Sequence, residues 1–122
     1  MLVLDTNIVI AYFAEEEPVV QALEEILEQG EKVVVPTIVK AETLSYANLG
    51  PSILERMQAW FLNTEQLVLD SRIADKAADI RREYRLKLID AVIAATALSV
   101  QAKLVTRDAD FMRVSDLETV KW

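Results

Sequence analysis

The chain has no cysteine and no histidine among its 122 residues. Without cysteine there are no disulfides, no thiolate chemistry and no zinc site of the Cys type. Without histidine, the commonest general base and the commonest transition-metal ligand are also missing. An enzyme built from this sequence must therefore work with carboxylates, hydroxyls, Lys, Arg or Tyr.

Glycine and proline are scarce, with two and three residues, and long uncharged runs are lacking. The more apolar of the two longest such runs, 91–102, falls short of the roughly 20 residues that a membrane span needs, so we predict a buried helix there and no membrane partner. Asp5 interrupts the first apolar run and no base precedes it, which argues against a secretory signal and favours the cytoplasm. The length and a hydrophobic fraction of 52% predict one globular domain, 1–122.

Basic residues are outnumbered, 13 against 20 acidic ones, and the net charge of -7 argues against nonspecific nucleic-acid binding over the whole surface. Residues 1–30 carry seven acids and no base, whereas residues 71–113 carry nine bases and six acids. An anionic ligand would therefore approach the second half. A basic run in that half, by default a solvated helix face, contains Arg81, Arg82, Arg85 and Lys87.

Short apolar runs alternate with helix-length segments along the whole chain. The runs lie at 2–4, 33–35, 67–69 and 104–105, with a fifth strand candidate at 119–121. This alternation predicts an α/β fold with three layers, α/β/α, around a mainly parallel sheet of four to five strands. Helices are predicted at about 7–14, 18–29, 36–49, 53–61, 71–84 and 88–102.

Four acids follow predicted strands or lie near helix starts, among apolar neighbours. Asp5 and Asp108 follow the first and fourth strands, and ligands of open α/β sheets bind at the carboxyl ends of strands. Glu42 interrupts a mostly apolar helix face, and buried glutamates are rare unless they are paired or metal-bound. Asp90 lies near the start of the most apolar helix. Each also has a structural interpretation, as a helix cap, an exposed edge residue or a first-turn acid.

Gathering four carboxylates is costly without a cation, because two unit charges about 4 Å apart repel by roughly 4 kcal/mol at an effective dielectric near 20. Oxygen ligands favour hard ions, so the expected cofactor is Mg²⁺ or Mn²⁺. Such ions suit phosphodiester hydrolysis. Thr6 and Asn7 would orient Asp5 or a bound water, and Thr106 and Asp110 are further supporting candidates.

Four segments of the chain resemble the motifs of the PIN-domain family, specifically its small VapC-like ribonuclease toxins. The segments are Asp5-Thr6-Asn7, 36–44 around Glu42, 88–97 around Asp90 and 104–111 around Asp108. Their order and spacing cover essentially the whole chain. The resemblance implies an endoribonuclease dependent on Mg²⁺ or Mn²⁺, an RNA substrate, a homodimer and inhibition by a cognate antitoxin. It marks Asp5, Glu42, Asp90 and Asp108 as the acidic site.

We hypothesise that Asp5, Asp90 and Asp108 hold the metal, directly or through water, while Glu42 binds a second ion or orients the attacking water. A competing interpretation is a signalling receiver domain, in which Asp70, Thr106 and Lys121 would be phosphoacceptor, hydroxyl and lysine. The first strand ends in a single acid where a receiver usually has two, which counts against it. A third interpretation keeps the fold as a catalytically silent binding module.

Overall fold

The computed structural model describes all 122 residues and contains a five-stranded sheet in which all neighbouring strands are parallel. The strands are β1 (Leu2–Leu4), β2 (Val33–Pro36), β3 (Glu65–Leu67), β4 (Lys103–Val105) and β5 (Thr119–Val120). They lie in the order β3-β2-β1-β4-β5, with helices on both faces. The predicted three-layer α/β/α class is therefore confirmed.

Six helices and one 3₁₀ turn connect the strands. The helices are α1 (Thr6–Phe13), α2 (Glu17–Glu28), α3 (Thr37–Leu44), α4 (Pro51–Leu62), α5 (Ser71–Tyr84) and α6 (Leu88–Ser99), and the 3₁₀ turn is Ala109–Arg113. Even the longest helix, α5 with 14 residues, lacks the length and apolar character needed to cross a membrane.

The inner strands are buried on both faces, which explains why they read as continuous apolar runs. Val3, Val34 and Leu104 have no exposed surface. The edge strand β3 behaves differently, because the residues that pair with β2 are Glu65–Leu67 and not the predicted 67–69. Val68 and Leu69 lie beyond the strand and are exposed. An edge strand needs no apolar run, so the prediction from hydrophobicity began this strand two residues too late.

Two helices end earlier than predicted, and each end has a local cause. Helix α3 ends at Leu44 and not near residue 49. At this end the hydroxyl of Ser45 donates to the carbonyl of Glu42 at 2.8 Å, which competes with continuation of the helix. Helix α6 stops at Ser99 and not at Ala102, because Gln101 adopts a left-handed conformation with φ 53°. The 3₁₀ turn after β4 was not predicted.

The order of the strands reverses at β1. The chain runs outward from β1 to β2 and β3, then returns to place β4 on the other side of β1. Such a switch point leaves a crevice at the carboxyl ends of the two strands. Leu4 pairs with Val105, so the next residues of the two strands, Asp5 and Thr106, come side by side.

Candidate active site

Asp5 ends the central strand and is held from two directions. Its side chain accepts a hydrogen bond from the backbone N–H of Thr6 at 2.7 Å and one from the hydroxyl of Thr106 at 2.6 Å. The residue is only 4% exposed. The first bond is the expected cap of α1, whereas the second joins β1 to β4 across 101 residues of sequence.

Glu42 reaches the same region from α3, which packs against α1. Thr6 donates from its hydroxyl to Glu42 Oε1 at 2.6 Å, so this threonine touches two of the four acids. The glutamate is half-buried, and its partner is a hydroxyl and not a base. The apolar face that we expected around it is shorter than predicted, because Tyr46 lies beyond the end of α3 and is 55% exposed.

Asp108 follows β4 and is connected to Asp5 through Thr106. Its backbone N–H donates to the Thr106 hydroxyl at 3.1 Å, and its Oδ1 accepts from the N–H of Asp110 at 2.9 Å. Asp108 thus caps the 3₁₀ turn, as its structural interpretation required. Asp110 instead forms an ion pair with Arg113 at 2.9 Å.

Asp90 lies in the first turn of α6 and is half-buried. Its pKa is raised from 3.8 to about 6, mainly by burial and further by repulsion from Asp5, Asp108 and Glu42, while Lys87 lowers it. The other three predicted acids are therefore close enough to act on Asp90 electrostatically. The fold brings all four together.

The pKa of Asp5 is raised as well, mainly by burial. The hydrogen bonds from Thr106 and Thr6 lower it, because they favour the ionised form, and the charges of Asp108 and Glu42 raise it again. Within one crevice, two carboxyl groups thus resist ionisation, and repulsion between acids contributes to both shifts.

An oxygen-ligated cation fits this site in charge and in ligand type. All four side chains are hard oxygen donors, and a cation would remove their mutual repulsion. Asn7 adds a carbonyl oxygen that is buried and receives no hydrogen bond, which is a costly state unless another group satisfies it. As placed, no three acidic side chains are close enough to hold an ion between them. Binding of a cation between three of these acids therefore requires their side chains to move closer to one another.

The receiver interpretation fails on the positions of its residues and on topology. Asp70 is an exposed cap of α5 that accepts from the N–H of Ile73 at 2.9 Å. It shares a groove with Val100, at the opposite end of α6 from Asp90. The strand order is also not the 2-1-3-4-5 of receiver domains. Asp70 is therefore not part of the acidic crevice.

Arg107 was not singled out by the sequence, although it stands between two residues of the site. Its guanidinium pairs with Glu16 at 2.6 Å and donates from Nε to the carbonyl of Trp122 at 3.2 Å. It thereby ties the α1–α2 turn to the end of β4. The only signal in the sequence was its position between Thr106 and Asp108.

Comparison with known proteins adds an independent observation. The PIN domain family matches residues 2–117. Ribonuclease VapC19 of Mycobacterium tuberculosis is 29% identical over 111 residues, covering 87% of each chain. A toxin-antitoxin complex from Klebsiella pneumoniae contains a chain 28% identical with a TM-score of 0.82, covering 98% of this chain and 96% of that one. VapBC2 of Rickettsia felis, bound to a promoter DNA fragment, has a chain of the same fold, with a TM-score of 0.85 at 20% identity and coverage of 99% and 98%.

Proposed function

Because the chain belongs to the PIN domain family, we propose that it is a metal-dependent endoribonuclease that hydrolyses phosphodiester bonds of RNA. The observation that carries the proposal is the convergence of Asp5, Glu42, Asp90 and Asp108, whose charges raise the pKa values of Asp5 and Asp90. The relative from Mycobacterium tuberculosis is named a ribonuclease, which supports RNA as the substrate.

In this proposal Asp5, Asp90 and Asp108 hold Mg²⁺ or Mn²⁺, directly or through water. When bound, such an ion lowers the pKa of a water molecule and stabilises negative charge on the phosphate. Thr106 fixes one oxygen of Asp5 and the backbone of Asp108 at the same time. Thr6 and Thr106 therefore act as supporting residues that set the directions of the acids, and the proposed part of Asn7 is to orient a bound water through its unpartnered Oδ1.

Glu42 is the residue proposed to orient the attacking water or to bind a second ion. Its Oε1 accepts from the hydroxyl of Thr6, whereas no protein group donates to Oε2. That free oxygen can accept the proton of a water as the water oxygen bonds to phosphorus. The bond from phosphorus to the leaving oxygen breaks, and solvent protonates the leaving group. The 2′-hydroxyl of the RNA takes no part.

The proposal extends to partners. Similar solved structures include toxin-antitoxin complexes, so we expect the chain to be the toxin of such a pair, to bind a cognate antitoxin and to form a homodimer in the cytoplasm, where its RNA substrates lie. Light scattering measures both associations when it is applied to the chain purified alone and to the chain coexpressed with the product of the neighbouring gene. A monomer in both samples would contradict this part of the proposal.

Cleavage of a labelled single-stranded RNA with Mg²⁺ or Mn²⁺ tests the activity, and Asp5→Asn and Asp90→Asn test the site. We expect each variant to lose at least about 100-fold in rate, since changes to groups that only support metal ligands already cost 10–100-fold. Asp70→Asn is the matched control, because it removes the same charge at an exposed helix cap where Asn serves equally well.

Two results would overturn the assignment. Full activity in Asp5→Asn or Asp90→Asn would exclude these acids from the chemistry. No cleavage by the parent protein with either ion, together with RNA binding, would favour the catalytically silent binding module. Thermal unfolding with and without Mn²⁺ gives a readout of ion binding that does not depend on activity.

A further inference from the structure

The basic run at the end of α5 divides into two pairs once the structure is known. Arg81 and Arg82 lie in the last helical turn, where cations are favoured by the helix dipole, and Arg82 also pairs with Asp79 at 2.7 Å. Arg85 and Lys87 lie in the turn between α5 and α6 and form no ion pair. Both are exposed. The dipole also favours Arg85, which is the C-cap of α5, so Lys87 is the cation of this run that the helix ends do not explain.

Lys87 stands at the N-terminus of α6, where a positive charge is unfavourable because the helix dipole is positive there. Its side chain makes no capping hydrogen bond. It forms no ion pair with Asp90 either. The side chain of Lys87 is therefore disfavoured by the helix dipole and forms no hydrogen bond or ion pair with another residue, although it attracts Asp90.

The backbone of the turn that carries the two cations is anchored, and this turn leads directly into the helix of Asp90. Leu86 between them is only 3% exposed and belongs to the hydrophobic core. The backbone N–H of Arg85 donates to the carbonyl of Arg81 at 2.9 Å, which closes the end of α5. Three residues after Lys87 the chain places Asp90 in the crevice.

We propose that Arg85 and Lys87 bind backbone phosphates of single-stranded RNA beside the acidic crevice, an inference that rests on the proposed ribonuclease function. The four acids repel an incoming phosphodiester, and the protein as a whole carries a charge of -7. Exposed cations in the turn before α6 that form no ion pair supply the local attraction that such a substrate needs.

The chain contains a matched control for this proposal. Arg72 and Lys76, at the start of α5, are also exposed and unpaired, and they line the groove beside Val100 at the far end of α6. Asp90 and Val100 are ten residues apart along α6, which separates them by about 15 Å at 1.5 Å per residue. The double variants R85Q/K87Q and R72Q/K76Q therefore remove the same number and kinds of charge at opposite ends of the helix.

Binding of a fluorescein-labelled single-stranded RNA is measured by anisotropy in EDTA at several salt concentrations, so that affinity is independent of cleavage. We expect R85Q/K87Q to raise the Kd about tenfold and to reduce the slope of log K against log salt by about one to two. R72Q/K76Q should stay within about twofold of the parent. Thermal unfolding checks that both variants fold.

Equal weakening by the two variants would overturn the inference, because it would reduce the effect to net charge. Unchanged affinity in R85Q/K87Q, or a parent that binds no RNA, would also overturn it. If Lys87 only balanced Asp90, its loss would move the pH profile and leave affinity in EDTA unchanged. A parent that binds RNA through these residues but does not cleave it with Mg²⁺ or Mn²⁺ would contradict the ribonuclease and leave the inference standing.

Discussion

Asp5 and Asp90 belong to the same crevice but are held in opposite ways. Asp5, at the end of β1, receives hydrogen bonds from Thr6 and Thr106. Asp90, at the start of α6, accepts no hydrogen bond on its side chain, and burial and three like charges raise its pKa. Hydrogen bonds from the protein therefore stabilise the ionised acid in part at the sheet end, whereas the helix end depends on a proton or a cation.

The difference follows from the elements that carry the two residues. Adjacent parallel strands place consecutive side chains in register, so Thr106 on β4 reaches Asp5 without a loop between them. Helix α6 offers Asp90 only its dipole, because residues 91–97 are buried apolar side chains and one threonine that bonds its own helix. Ion binding should consequently change the helix end more than the sheet end.

Removing the donor at the sheet end should have the largest effect on stability. Thr106→Val keeps the shape but takes away the hydroxyl that donates to Asp5 and accepts from the N–H of Asp108. We expect a loss of about 1–3 kcal/mol in the free energy of unfolding and of about 10–100-fold in cleavage rate. Urea unfolding and RNA cleavage measure the two quantities.

Thr106→Ser is the control, because it keeps the hydroxyl and removes only a methyl group. It should retain most of the activity that Thr106→Val loses. Equal damage in the two variants would mean that packing at this position matters and that the hydrogen bonds to Asp5 and Asp108 do not. In that case the contrast between the two ends of the site would disappear.

The environment of Asp90 at the helix end should be visible in the pH dependence of stability. The folded state binds a proton on Asp90 more tightly than the unfolded state does, because the pKa rises from 3.8 to about 6. The contribution of Asp90 to stability without metal should therefore be fully present below about pH 4 and be lost as the pH rises through about 6. Asp90→Asn should flatten that part of the profile, and the raised pKa of Asp5 leaves a smaller slope of the same sign.

Mn²⁺ sharpens the same measurement. A cation replaces the proton as the partner of the carboxylates, so it should raise the midpoint of thermal unfolding more at pH 7 than at pH 4. In Asp90→Asn this dependence on pH should be weaker. If the difference in stability between the parent protein and Asp90→Asn did not change between pH 4 and pH 7 without metal, the assigned environment of Asp90 would be wrong.

The sequence predicted the inner strands well because a strand buried on both faces admits only apolar residues. β3 was misplaced because the edge of the sheet lacks that constraint. The acids could be found for a related reason, since Asp5 and Asp108 stand where apolar runs stop. The contacts of the hydroxyl groups could not be predicted. The hydrogen bond from Thr6 to Glu42, for example, depends on how α1 and α3 pack, which no local sequence pattern determines.

The smallest effect is expected at Asp110, the weakest of the predicted supporting residues. Its carboxylate pairs with Arg113 one helical turn away, and both side chains are about half exposed, which makes the pair worth little in water. Asp110→Asn should therefore change the free energy of unfolding by less than about 0.5 kcal/mol and leave Mg²⁺-dependent cleavage nearly unchanged. Asp108→Asn, two residues earlier, should abolish cleavage. If Asp110→Asn were the more damaging of the two, the crevice would use the second acid of this turn, and the proposed set of ligands would have to exchange Asp108 for Asp110.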